Sequence, residues 1–105
     1  MERKRTDMND RLDIHEAFAS KLRIILITAL ISGEKTFTEL KKISGATDGN
    51  LSVQLSKLEE WGFVGVEKAF EGKKPRTTCS LTTHGRSEFE KYVAALEAVL
   101  KQPEA

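Results

Sequence analysis

Apolar residues recur at helical spacing in four segments of the chain and alternate with polar ones in a fifth. From Leu12 the pattern is helical, with Ile14, Ala17 and Phe18 leading into a main body that begins near Ser20, a side chain suited to capping a helix start. Leu22, Ile25, Leu26, Ala29 and Leu30 then fall at i, i+3, i+4, i+7 and i+8, the stripe an amphipathic helix turns to a core, and Ser32-Gly33 ends it. A second, short helix opens at Thr36. Glu39 three residues later completes a capping-box order, Phe37, Leu40 and Ile43 supply the apolar side, and Ser44-Gly45 closes it. After Thr47, Leu51, Leu55 and Leu58 form the narrow seam of a third helix that Gly62 stops. Phe63, Val64, Val66 and Ala69 read as a strand and Glu71 to Pro75 as a turn. Thr77, Cys79 and Leu81, alternating with Thr78 and Ser80, read as the returning strand. A last helix, capped by Thr82 or Thr83, carries Phe89, Tyr92, Val93, Leu96, Val99 and Leu100 and ends ahead of Pro103.

The resulting order, α-α-α-β-β-α, predicts a mainly α fold with a small β-hairpin (α+β), that of a winged helix-turn-helix. Residues 1–9 have no periodicity and read as a flexible arm. The domain is expected over 10–102, its final helix over about 83–101. A chain of 105 residues has room for one modest core and no second catalytic domain.

Charge narrows the partner. With a formal net charge of +1 there is no global attraction for polyanions, so nucleic-acid affinity has to come from where the charges sit. Between Glu67 and Arg76 four cations (Lys68, Lys73, Lys74, Arg76) meet two anions (Glu67, Glu71), so the hairpin is locally basic at its tip. Lys73, Lys74 and Arg76 there suit phosphates or the minor groove, Arg76 foremost. On the third helix Gly49, Val53 and Ser56 fall opposite the leucine seam, flanked by Asn50, Ser52, Gln54 and Lys57, with Thr47 at its start. Asn50 or Gln54 suits an adenine edge, Val53 a thymine methyl, and Ser56 or Lys57 a phosphate. Lys41 and Lys42 are weaker phosphate candidates. The plain alternative is a solvated helix face and a turn kept soluble by lysines.

Other chemistry finds little foothold. His15 and His84 are far apart and a single cysteine cannot close a structural zinc site, so no metal is expected. No G-x-S-x-G, P-loop or G-x-G-x-x-G occurs, so no catalytic residues and no cofactor are expected. Cys79, in phase with Leu81, reads as a small buried hydrophobe rather than a redox sensor. The apolar run from Leu22 to Ile31 is interrupted by Arg23 and is far shorter than the roughly 20 residues of a membrane span. The charged stretch MERKRTDMNDRLD lacks the apolar region of a secretory signal, and a lone cysteine suits a reducing compartment; together they predict a cytoplasmic protein.

Three pieces make the chain resemble the small stand-alone winged-helix transcriptional regulators related to the MarR family: T-D-G-N-L-S opening the third helix, L-x-x-L-E-x-x-G-F-V leading into the hairpin, and G-K-K-P-R-T-T-x-S-L-T-x-x-G-R across the wing. The similarity runs from about Leu12 to Leu100. It implies a homodimer on a pseudo-palindromic double-stranded operator, the terminal helices forming the interface, with effectors unknown for many members. The chain differs from larger MarR proteins in having one helix after the wing and K-K-P-R at its tip, and from ArsR relatives in lacking a cysteine-rich metal box. The stripe Phe89, Tyr92, Val93, Leu96, Val99 and Leu100 points independently to dimerisation, being wider than so small a core needs, with Ala94, Ala95 and Ala98 allowing close approach. The same stripe could instead pack back on Leu26 and Leu30. Two other functions compete with DNA reading: a winged helix used as a protein-interaction module, for which Glu59 and Glu60 on the third helix speak, and a ligand-responsive switch, for which no polar constellation identifies a ligand.

Overall fold

The computed structural model describes residues 14–101. The expected arm at 1–9, the start of the helical pattern at Leu12 and the stop at Pro103 lie outside the described residues. A 3-10 turn, Glu16–Ala19, precedes α1 (Lys21–Ile31). There follow β1 (Lys35–Thr36), α2 (Phe37–Ser44), α3 (Asp48–Glu60), β2 (Val64–Glu71), β3 (Lys74–Leu81) and α4 (Thr83–Lys101).

Each helix start satisfies backbone N–H groups that would otherwise lack a partner. Ser20 accepts from the Arg23 N–H ahead of α1, and Thr47 accepts from the Asn50 N–H ahead of α3. At α2 the capping box is complete: Thr36 Oγ1 accepts from the Glu39 N–H at 3.1 Å while the Glu39 carboxylate accepts from the Thr36 N–H at 2.8 Å. Of the two threonines proposed for the last helix, Thr82 is the cap. Its Oγ1 accepts from the Gly85 N–H and its own hydroxyl donates to the Gly62 carbonyl at 2.6 Å, so one side chain fastens α4 to the end of α3.

The element order matches expectation with two additions, the 3-10 turn and a short strand. Lys35 and Thr36 form a short strand pairing antiparallel with Cys79 and Thr78, giving a three-stranded sheet in the order β1-β3-β2. Two residues are too few to produce an alternation, and Thr36 is simultaneously the α2 cap, so periodicity had no means of showing it.

The core gathers Leu26, Ile27 and Leu30 of α1, Leu40 of α2, the α3 seam Leu51, Leu55 and Leu58, then Phe63, Val64 and Cys79, closed by Ala17 and Phe18. The buried face of α1 differs from the expected stripe. Arg23, Leu26, Ile27 and Leu30 are buried, whereas Leu22, Ile25 and Ala29 are only half-buried. Only Lys21, Arg23 and Thr28 are polar in this helix, so apolar spacing selects no face. The hydrogen bonds that Arg23 donates to Ala17, Glu16 and Gln54 go with the face observed.

Candidate nucleic-acid interface

Burial of Leu51, Leu55 and Leu58 fixes how α3 is turned. Thr47, Gly49, Asn50, Ser52, Val53, Ser56 and Lys57 are exposed on it, and Val53 is 51% exposed although apolar. Small residues and short polar groups thus cover a face on which a groove wall could sit close. Gln54 is the exception. It is half-buried, its Oε1 accepts from Arg23 Nη1 at 2.6 Å, and its Nε2 donates to Asn50 Oδ1 at 3.3 Å. Arg23, absent from the sequence-based site, therefore touches the back of this helix.

The wing is tighter than its sequence suggests. The expected turn ran from Glu71 to Pro75, but Glu71 pairs with Lys74 and Phe70 with Pro75, leaving a two-residue connection of Gly72 and Lys73. Gly72 has φ +67°, a left-handed conformation that costs glycine little and other residues more. Proline is tolerated at 75 because β1 pairs only with Thr78 and Cys79, so the outer side of β3 is open at this end and needs no N–H there.

The pairings Glu71–Lys74 and Ala69–Arg76 set Glu71, Lys74 and Arg76 on one face of the hairpin. There Arg76 Nη1 donates to both Glu71 carboxylate oxygens, at 2.7 and 2.8 Å. Both side chains remain exposed, so the pair is open to exchange with another anion. Lys41, similarly, bonds Asp48 at 2.7 Å. On the opposite face of the wing, beside Pro75, Phe70 is 75% exposed. The Glu39 carboxyl of the capping box is held below its ordinary range, chiefly by its bond from the Thr36 N–H and also by Lys35 and Arg76 nearby.

Of the six residues proposed for dimerisation, Phe89 and Tyr92 pack on their own chain's core: Phe18 stacks on Tyr92 with ring centroids 4.5 Å apart and 5° between planes. Val93 and Leu100 are exposed and Leu96 and Val99 half-buried. Cys79 is fully buried, and desolvation pushes its thiol up, Glu59 acting in the same direction. Among the described residues no helix is long and apolar enough to cross a membrane.

Comparison with known proteins agrees with this geometry. Residues 22–100 match the family model described as a winged helix DNA-binding domain. The chain is 36% identical over 77 residues to an uncharacterised protein of Methanocaldococcus jannaschii, covering 72% of this chain and 84% of that one. Its fold is similar to that of a transcriptional regulator homologue from Pyrococcus horikoshii OT3, with a TM-score of 0.77 at 24% identity, covering 85% of this chain and 89% of that one. It is also similar to a transcriptional regulator of the MarR family from Enterococcus faecalis V583, with a TM-score of 0.70 at 25% identity over 90% and 87% of the two chains. A capped helix pair, a hairpin wing with a basic tip and a trailing helix, in a chain matched from α1 to α4, identify this protein as a member of the winged helix DNA-binding domain family, a small MarR-related regulator.

Proposed function

We propose that the chain is a sequence-specific transcriptional regulator that reads double-stranded DNA with α3 in the major groove and the wing on phosphates or in the minor groove. The carrying observation is the α3 face: Gly49, Asn50, Ser52, Val53, Ser56 and Lys57 stand exposed on a helix whose opposite side is locked into the core by Leu51, Leu55 and Leu58. A rigid helix presenting small and amide side chains suits base-edge contact. Lys73, Lys74 and Arg76 supply the phosphate term, and Thr47 at the helix start lies where a phosphate meets the positive end of the dipole. In this reading two copies join through α4 on a pseudo-palindromic operator.

The ion pairs of Arg76 with Glu71 and Lys41 with Asp48 favour a second reading, a protein-interaction module, because they take up two of the cations offered to DNA. Selection of bound sequences from genomic fragments, followed by titration at several salt concentrations, separates the two. A DNA reader yields a palindromic consensus and a steep fall of affinity with salt. Recovery of no consensus, with weak binding to any duplex, sinks the proposal.

A further inference from the structure

Among the described residues Arg23 is the one charged side chain that is buried, 8% exposed. Its Nε donates to the Ala17 carbonyl at 3.0 Å, its Nη2 to the Glu16 carbonyl at 3.1 Å and its Nη1 to Gln54 Oε1 at 2.6 Å; its guanidinium carbon lies 5.4 Å from the Trp61 ring centroid. None of these partners is a carboxylate. Among the described residues this buried cation meets neutral acceptors and a ring face, an arrangement that gives up hydration which an apolar side chain of similar size would not, so packing alone accounts poorly for it.

Its effect on α3 follows from chemistry. Arginine only donates hydrogen bonds, so Gln54 has to turn its carbonyl oxygen to Arg23 and its amide nitrogen away. That nitrogen donates to Asn50 Oδ1, so the group this exposed side chain still has wholly to offer is its Nδ2 donor. We propose that Arg23 is a positioning residue for base recognition: by fixing the Gln54 amide, and through it the Asn50 amide, it makes α3 present a donor to the major groove. Such a donor matches the N7 and O6 acceptors of guanine. It matches adenine less well, because one of the two lone pairs of the oxygen that would take the adenine amino hydrogen is already engaged by Gln54. This narrows the sequence-based expectation of an adenine contact, and it rests on α3 being the reading helix.

The test measures affinity for the selected operator and for its single base-pair variants, using the wild type, Arg23→Met and Gln54→Leu. Methionine fills the site without donors, and Gln54→Leu cuts the same link from the other end should Arg23→Met fail to fold. The expected result is a guanine preference at one base pair of each half-site. Either variant should reduce discrimination there about tenfold, the order set by one base-edge contact, with other positions and the salt dependence unchanged. In nitrogen-edited NMR spectra of the free protein, the Gln54 side-chain amide should be shifted and slow to exchange in the wild type and solvent-like in Arg23→Met. An equal loss at every position, undiminished discrimination in the folded variants, or an unaltered Gln54 amide overturns the proposal while leaving DNA reading intact. A wild type that selects no sequence overturns both.

Discussion

A methyl group added at Gly85 would be driven into the Phe63 carbonyl oxygen, with Leu81 Cδ1 at 2.9 Å and the Phe63 carbonyl carbon at 3.0 Å. The first turn of α4 cannot back away, since the Gly85 N–H is held at 2.9 Å by Thr82 Oγ1, itself bonded to the Gly62 carbonyl. Gly85→Ala should therefore destabilise the protein by about 1–3 kcal/mol, the cost of overpacking a tight contact. It should appear as a lower urea midpoint at unchanged slope, and an unchanged midpoint would show that the turn is not held so close. The glycine stands in the T-x-x-G-R run that is distinctive in sequence, but its reason is a carbonyl distant along the chain, which no local pattern reports. Cys79 is the opposite case, its inward phase being readable from alternation with Leu81. Burial raises its thiol above the ordinary value of 9.0, so the folded state keeps the proton that the unfolded chain releases. The associated stability is fully present below about pH 9 and is lost as pH rises through the folded value. The stability gap between wild type and Cys79→Ala should narrow on the alkaline side, and thiol reagents should label Cys79 only as fast as the protein opens. Rapid labelling at neutral pH of a fully folded sample would restore a redox role.

The wing shows where pattern stops being informative about an element. Alternation located both strands and charge counting located the basic tip, yet neither sets the register, and register decides that Arg76 shares a face with Glu71. The three cations of the tip are thus unequal, Arg76 being already engaged. An exposed ion pair is worth at most about 1 kcal/mol, which a phosphate can outbid. Glu71→Gln should raise DNA affinity by up to about fivefold at low salt by releasing Arg76 and removing a negative charge, an effect that fades as salt rises. Arg76→Ala and Lys74→Ala should each reduce the slope of log affinity against log salt by about 1. Were Glu71→Gln without effect and both slopes unaltered, the wing would lie off the DNA. In α1 the difficulty was different: with apolar residues nearly all round, the buried face was invisible to spacing, and the one polar residue inside it, Arg23, is the residue that reaches α3.

At the scale of the molecule, α4 divides into two stretches. Phe89 and Tyr92 are fastened to their own chain through Phe18, whereas Val93 and Leu100 are exposed, Leu100 to 85%, and Leu96 and Val99 are half-buried. A sequence stripe cannot show that division, because packing within a chain and packing between chains demand the same spacing. The distal stretch is where a second copy would gain most from burial. Leu100→Glu, at the most exposed position of the stretch, should therefore leave the fold and thermal stability of the isolated chain nearly intact while giving a monomer in sedimentation at micromolar concentration. Since a dimer spaces two recognition helices about one DNA turn apart, roughly 34 Å, the same substitution should reduce affinity for a full palindrome toward that for a half-site and leave half-site affinity alone. A Leu100→Glu protein that stays dimeric would move the interface elsewhere. A wild type that is monomeric and binds half-sites and palindromes equally would end the dimer proposal, leaving α3 and the wing to supply all of the affinity.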